Sequence, residues 1–348
     1  MYEPKYRYTD KLVSSLIKLE NSKATLSSLD LTYNVKHKLT TNAKALDMFH
    51  LANMIGFEIT LKEGEKLSNG VKIDGIDDSS FKLIQNFRNI LEFSRSTIVD
   101  TYSEVDYAVL HHLNRLLISG WKEVWEAKFR SGNDEIDSKW DDLVGLRDES
   151  VLSSNVEKEI FELIEWYKSA MPTVTPLVRL AILIFRLIEI YPFLAGNKLT
   201  IIAITDYLLL RNGLASKAYM SVIRTFVQNH DRLVEAIYMS RKNFDLSYWI
   251  ETFVEYLNRD LAEIRESIND YIINDEKSKK QPFLDLNKRQ LKVLRYLQTV
   301  QMIKREDYCH MMEVSTMTAF RDLNDLVRKK LLKVDGKGRG TKYRLSSM

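Results

Sequence analysis

Residues 176–213, PLVRLAILIFRLIEIYPFLAGNKLTIIAITDYLLLRNG, restrict the fold of this chain more than any other stretch. From Leu177 to Ile190 only Arg179, Arg186 and Glu189 are charged, and Leu199 to Asn212 is just as apolar. Helices that are apolar nearly all round belong inside a large fold. Pro176 suits a first helical position with Thr175 as N-cap, and Gly213 suits the residue that ends the second helix. The loop between them, Tyr191-Pro192-Phe193-Leu194-Ala195-Gly196-Asn197-Lys198, carries Pro and Gly and opens straight into a helix. Backbone N–H groups at a helix start, aided by the helix dipole, form an anion site. The pattern predicts two buried helices around a loop shaped to hold a phosphate through Gly196, Asn197 and Lys198.

The remainder is read from periodicity and breakers. Over 348 residues there are only 12 Gly and 5 Pro. With recurring 3.6-residue apolar spacing, this predicts a mainly α chain of two or three domains. Helices are expected over 9–21, 34–55, 81–96 behind a Ser80 cap, 104–118, 154–169, 216–228, 230–242 and 246–273. A glycine-bearing stretch, 61–80, reads as a hairpin or an exposed insert. Residues 121–130 read as one side of a strand or flap, and 133–153 as an acidic connector. The segment 274–283 is polar and charged and contains Pro282, as linkers do. No apolar run is long enough to span a membrane, and MYEPKYRYTDK lacks a signal-peptide core. Cys309 is the single cysteine, which excludes an internal disulfide and Cys-based zinc sites. A cytoplasmic location is the expectation. The adjacent His111 and His112 face different directions on a helix and lack the spacing of a metal-binding pair; no metal site is expected.

Charge is unevenly spread. Residues 284–348 hold 15 Lys and Arg against 7 Asp and Glu, a net of +8, whereas the rest holds 36 against 41, a net of −5. A basic module on a mildly acidic body suggests a polyanion partner. Its order is helix, short helix, turn, helix and two short strands around a Gly-rich tip. Asn287 opens the first helix and Ser315 the third. This plan resembles a winged helix-turn-helix across the whole segment. In that fold the third helix enters the major groove and the wing follows the backbone. Ser315, Thr316, Thr318 and Arg321 fall on the first turns of that helix, where they reach phosphates or base edges. Lys337, Arg339 and Lys342 on the wing would neutralise phosphates. DNA is therefore the expected partner, although the same plan also serves protein interaction or homodimerisation.

The phrase IYPFLAGNKLT, between two apolar helices and followed by YLLLRNG, resembles the signature of the Fic family. These helical enzymes mostly transfer AMP from ATP to a protein hydroxyl. Their pattern, His-Pro-Phe-x-Asp/Glu-Gly-Asn-Gly-Arg-x-x-Arg, lies over Tyr191 to Ile202 without gaps. Pro192, Phe193, Gly196 and Asn197 match. The helix PLVRLAILIFRLIEI and the flap-like 121–130 are also similar, and the likeness covers about residues 8–270. It implies an N-terminal Fic-associated helical region (1–80), a Fic-like core (81–273), a linker (274–283) and the winged helix-turn-helix (284–348), an arrangement common in bacteria.

The departures bear on chemistry. The family's histidine, its general base, is Tyr191 here, and a phenol of pKa near 10 is a poor base at neutral pH. The magnesium-binding acid is Ala195, which offers no oxygen to a hard cation. The third glycine is Lys198, and the two phosphate-gripping arginines are Leu199 and Ile202. SSLIKLENSKATL resembles the family's inhibitory helix, with Glu20 at the inhibitory glutamate and Leu16 at the Ser/Thr position. The arginine that such a glutamate would pair with is Ile202. The resulting expectation is a regulatory or interaction protein with a degenerate adenylyltransferase site, joined to a DNA-binding module. The alternative is a protein adenylyltransferase that uses ATP and magnesium with other residues, Lys198 among them.

Overall fold

The computed structural model describes residues 2–96, 105–123, 127–131, 155–214, 219–278, 286–297, 300, 302–329, 331–336 and 341–346. Its contacts divide the chain into two compact units, Met1–Ile273 and Asn274–Met348. The first holds α1 (Asp10–Ser28), α2 (Tyr33–Met54), α3 (Leu61–Ser68), α4 (Asp78–Ser96), α5 (Tyr107–Ile118), α6 (Val156–Ser169), α7 (Pro176–Ile190), α8 (Asn197–Arg211), α9 (Val222–Gln228), α10 (His230–Asn243) and most of α11 (Ser247–Ser278). The mainly helical class expected from the sequence is the class observed. No described helix is long and apolar enough to cross a membrane.

The α7–α8 pair is the centre of the first unit. Every residue of α8 from Asn197 to Leu209 is buried, and α7 is buried at every position except Pro176, Arg186 and Glu189. α4, α5, α7 and α9 surround α8. The single charge deep in α7, Arg179, donates to the Tyr167 carbonyl at 3.2 Å and lies over the Tyr167 ring. Trp249 from α11 ties itself to the same helix by donating Nε1–H to the Ala181 carbonyl at 2.7 Å. Thr175 holds the N-cap position of α7, but its side chain makes no capping bond.

Several boundaries differ from those the sequence suggests. α1 does not end near residue 21 but continues to Ser28, with Leu12, Leu19 and Leu26 buried along one stripe. A narrow stripe suffices, so the polar run between these leucines does not break the helix. The glycine-bearing stretch 61–80 begins as α3, not as a hairpin. Its start is a capping box: the Thr60 hydroxyl accepts from Glu63 N–H and the Glu63 carboxylate accepts from Thr60 N–H. Gly64 sits inside this helix because α2 passes too close for a side chain. A Cβ there would lie 2.6 Å from the Ala45 carbonyl oxygen and 2.9 Å from Phe49 Cβ. α4 is opened by Asp77, whose carboxylate accepts from Ser80 N–H at 2.9 Å, so Ser80 lies inside the helix. α11 runs on to Ser278, into the stretch read as linker; residues 279–285 lie outside the described residues.

The second unit contains α12 (Lys288–Tyr296), β1 (Ile303–Lys304), α13 (Arg305–Met312), α14 (Thr316–Arg328), β2 (Leu332–Asp335) and β3 (Lys342–Leu345). The strands form an antiparallel sheet in the order β1-β3-β2, with Tyr343 paired to Ile303 on one side and Val334 on the other. The two-residue β1 is too short to leave a periodic signal. Asn287 and Gln290 make the capping box of α12. Buried Asp322 on α14 binds the three helices together: it accepts from Asn287, from Arg289 and from the Tyr308 hydroxyl, at 2.8, 2.8 and 2.9 Å.

Candidate functional site

The loop between α7 and α8 is built by its own side chains and by two neighbouring segments. α7 stops where Tyr191 adopts a left-handed conformation, φ 52°, while its N–H still donates to Leu187. A non-glycine residue pays for that conformation with roughly 1–2 kcal/mol of strain. Arg130 compensates: its N–H donates to the Pro192 carbonyl, its Nε–H to the Tyr191 carbonyl and its Nη2–H to the Ile190 carbonyl, at 2.9, 2.7 and 2.7 Å. A buried cation thereby caps the negative end of α7 and satisfies carbonyls that have no helical partner. Phe129 and Phe193 form an antiparallel bridge beside it. The segment read as a flap thus pairs with the loop. Residues 124–126 and the connector at 133–153 lie outside the described residues.

Asn197 closes the loop from the other end. Its carboxamide accepts from Phe193 N–H at 2.8 Å and donates to the Phe193 carbonyl at 2.7 Å. Asn114 on α5 donates to the Ala195 carbonyl at 2.9 Å and to the Thr200 hydroxyl at 3.0 Å. Gly196 has φ 74°, and a Cβ there would meet Leu117 Cδ2 at 3.0 Å, so both backbone and space require glycine. The loop is shut off from solvent. Tyr191, Phe193, Ala195, Asn197 and Lys198 are all buried, and Gly196 is half-buried. Leu199 and Ile202 are core residues of α8. A phosphate at Gly196–Lys198 would have to enter a closed site.

His111 and His112 behave differently from one another. His111 donates Nδ1–H to the Ala127 carbonyl at 3.1 Å, and its ring packs on Tyr107, Phe129 and Phe193. Burial pulls its pKa below the usual imidazole range. His112 is exposed and packs on Phe93. No group of three potential metal ligands occurs among the described residues. Glu20 on α1 is exposed and pairs with Lys23 at 3.5 Å.

Sequence reasoning missed Arg130, Asn114 and a buried charge cluster on α8. Arg95 Nη2 lies 2.6 Å from Asp47 Oδ2, and the same positive charge acts on buried Asp206. Burial pushes the Asp206 carboxyl up to about 7, with Arg95 opposing and Asp47 adding to the shift. The one signal in the sequence was a lone acid in a helix expected to be buried.

In the second unit, Ser315 is the N-cap of α14; its hydroxyl accepts from Thr318 N–H at 3.3 Å and lies 3.0 Å from Thr318 Oγ1. Thr316 and Arg321 are exposed and Thr318 is half-buried. Lys342 is exposed on β3, opposite Lys304 of β1 and Asp335 of β2. Lys337 and Arg339 lie outside the described residues. The exposed face of α14 also carries Met317, Phe320, Asn324 and Arg328, of which the two apolar residues were not anticipated.

Comparison with known proteins places this architecture. The Fic/DOC family model matches residues 104–209, and no curated protein matches the chain. A Fic family protein from Desulfovibrio desulfuricans G20 superposes with TM-score 0.59 at 16% identity, covering 100% of this chain and 99% of that one. A Fic domain containing signaling protein from Bacteroides thetaiotaomicron VPI-5482 gives 0.54 at 15%, covering 75% and 95%. Fic-1 (residues 134–508) from C. elegans gives 0.56 at 14%, covering 76% and 73%. Identities this low speak for the fold alone. The chain has the Fic fold, and its residues 104–209, which hold α5–α7, the 191–198 loop and nearly all of α8, form a Fic/DOC family domain.

Proposed function

We propose that this chain is a regulatory or interaction protein built on a Fic core with a degenerate transferase site, joined to a winged helix-turn-helix at 284–348 that binds DNA. The observation that carries the first part is the state of the loop. Its frame is self-satisfied through Arg130, Asn114 and Asn197. The positions that would perform transfer hold Tyr191, Ala195, Lys198, Leu199 and Ile202, all buried. A phenol does not take a proton from a hydroxyl at neutral pH. Loss of a positioned base alone removes about 10²–10⁴ in rate. Ala195 gives a magnesium ion no carboxylate, so the loop does not fit the metal that nucleotide transfer would call for. The Asn197 carboxamide is engaged at both ends with Phe193.

The test uses purified protein, ATP labelled in its α-phosphate, magnesium and a cell lysate. No labelled protein above background is expected. AMP transferred to the chain itself or to a lysate protein, and lost in Tyr191→Phe or Lys198→Ala, would establish the adenylyltransferase reading instead. That reading draws on one observation: Lys198 places a cation in the first turn of α8.

The DNA-binding reading rests on the net +8 of residues 284–348 and on exposed Thr316 and Arg321 in the first turns of α14, with Lys342 exposed on the sheet. Binding to random duplex DNA should weaken steeply with salt as counterions are released. Arg321→Ala should weaken it further, whereas salt-independent or absent binding would point to dimerisation through this unit.

A further inference from the structure

The first unit has a cleft of about 510 Å³ along α5, lined by none of the loop residues 191–198. That is within the range of small-molecule sites, which run from roughly 300 to 1,000 Å³. Phe93 of α4, Tyr207 of α8, and Ala108, His112 and Arg115 of α5 line it, and Ala127 closes one side. The lining is mostly apolar and aromatic, which suits a flat ring. Its polar groups are unequal. Asp106 stands at one end, where its carboxylate already accepts from Val109 N–H at 2.7 Å as the N-cap of α5. Arg115 stands toward the other end, about 13 Å along the helix at 1.5 Å per residue. It makes no ion pair or hydrogen bond among the described residues. The cleft is therefore polarised, with a spent anion at one end and an available cation at the other.

We propose that this cleft is a binding site for a small planar aromatic anion, with the ring among Phe93, His112 and Tyr207 and the anionic group on Arg115. Asp106 repels an anion from the opposite end, so one orientation is favoured. The cleft also touches the motif loop through one residue. His111 lines it, packs its ring on Phe193 5.8 Å away and on Phe129 4.3 Å away, and donates to Ala127. An occupant of the cleft thus presses on the side chain that supports both the loop and the segment paired with it. The site stands whether or not the chain transfers AMP and whether or not residues 284–348 bind DNA.

The experiment uses the full chain and the fluorescent probe 1-anilinonaphthalene-8-sulfonate, with the uncharged N-phenyl-1-naphthylamine as control. Saturable binding of one sulfonate probe per chain is expected. Arg115→Gln should weaken the sulfonate about two- to fivefold, the scale of an exposed charge pair, and leave the uncharged probe unchanged. Ala108→Trp fills the cleft from an exposed helical position and should abolish saturable binding of both, with circular dichroism unaltered. Competition by AMP and by 2-aminobenzoate distinguishes a phosphate bearer from a carboxylate bearer. Absence of saturable binding, binding indifferent to both substitutions, or failure of both competitors to displace the probe would overturn the proposal.

Discussion

Replacing Asp206 by asparagine should change how the stability of the first unit responds to pH. Asp206 is 1% exposed in a helix buried along most of its length, and one guanidinium, Arg95, pairs with Asp47 and acts electrostatically on both. One positive charge does not neutralise two buried carboxylates. Asp47 makes the short ion pair, and Asp206 is left with its Oδ2 buried and without a hydrogen-bond partner. Its carboxyl is pushed from 3.8 up to about 7. Lys44 on α2 and Glu92 on α4 act on the other members of the cluster, and both remain in the variant. Between pH 4 and pH 7 the unfolded chain has lost the Asp206 proton while the folded chain keeps it. The folded state then binds more protons, so stability falls as pH rises through that window and levels off above it. A shift of three units corresponds to at most about 4 kcal/mol. Asparagine cannot ionise, so the variant should gain on the wild type by up to that amount between pH 4 and pH 8. Asp260, raised to about 6, and His50, lowered to about 4, titrate in both proteins and cancel in the difference. Urea unfolding followed by tryptophan emission is the assay. All 5 tryptophans precede residue 250, so the signal reports the first unit alone. A wild-type minus variant difference that stays constant from pH 4 to pH 8 would refute the argument.

Other substitutions separate framework from chemistry. Asn197→Ala removes both partners of the buried Phe193 backbone and should cost about 2–4 kcal/mol in urea unfolding. Arg130→Met strips the cap from the Ile190 and Tyr191 carbonyls and should cost about 2–4 kcal/mol in the same assay, since buried carbonyls lose their partners. Gly64→Ala drives a methyl against the α2 backbone and should lower stability by about 1–3 kcal/mol, as overpacking does. Tyr308→Phe removes one hydrogen bond to Asp322 and should cost the second unit about 1 kcal/mol, seen as a lower calorimetric midpoint for that unit.

The buried helix pair, the three helices and last two strands of the second unit, and the loop were legible because each rests on local pattern. α7 and α8 are uninterrupted apolar runs, and Asn287 and Ser315 announce their helices by capping. What was illegible depends on residues distant in sequence. Gly64 reads as a turn until α2 is seen crossing it. Arg130 reads as one more surface charge until the α7 carbonyls, about sixty residues on, are seen to surround it. Asp206 gains its altered chemistry from burial among neighbouring helices, with Asp47 adding to the shift and Arg95 opposing it, and no periodicity connects these residues. The closure of the loop was equally hidden: the sequence describes an anion-shaped turn, and burial decides whether an anion can reach it.

The four motif positions that this chain keeps are the four that its own fold uses. Pro192 follows a left-handed Tyr191 and lends its carbonyl to Arg130. Phe193 packs against His111 and Phe129 in the core. Gly196 supplies the positive φ and the missing side chain beside Leu117. Asn197 ties the loop to Phe193. Tyr191, Ala195, Lys198, Leu199 and Ile202, which the resemblance sets at the family's chemical positions, are all buried. Retention of a motif is therefore no argument for activity when every retained residue has a structural duty. The proposed lack of transfer chemistry rests instead on the side chains at the other five positions, because a close-packed framework needs its glycine and asparagine whatever stands there.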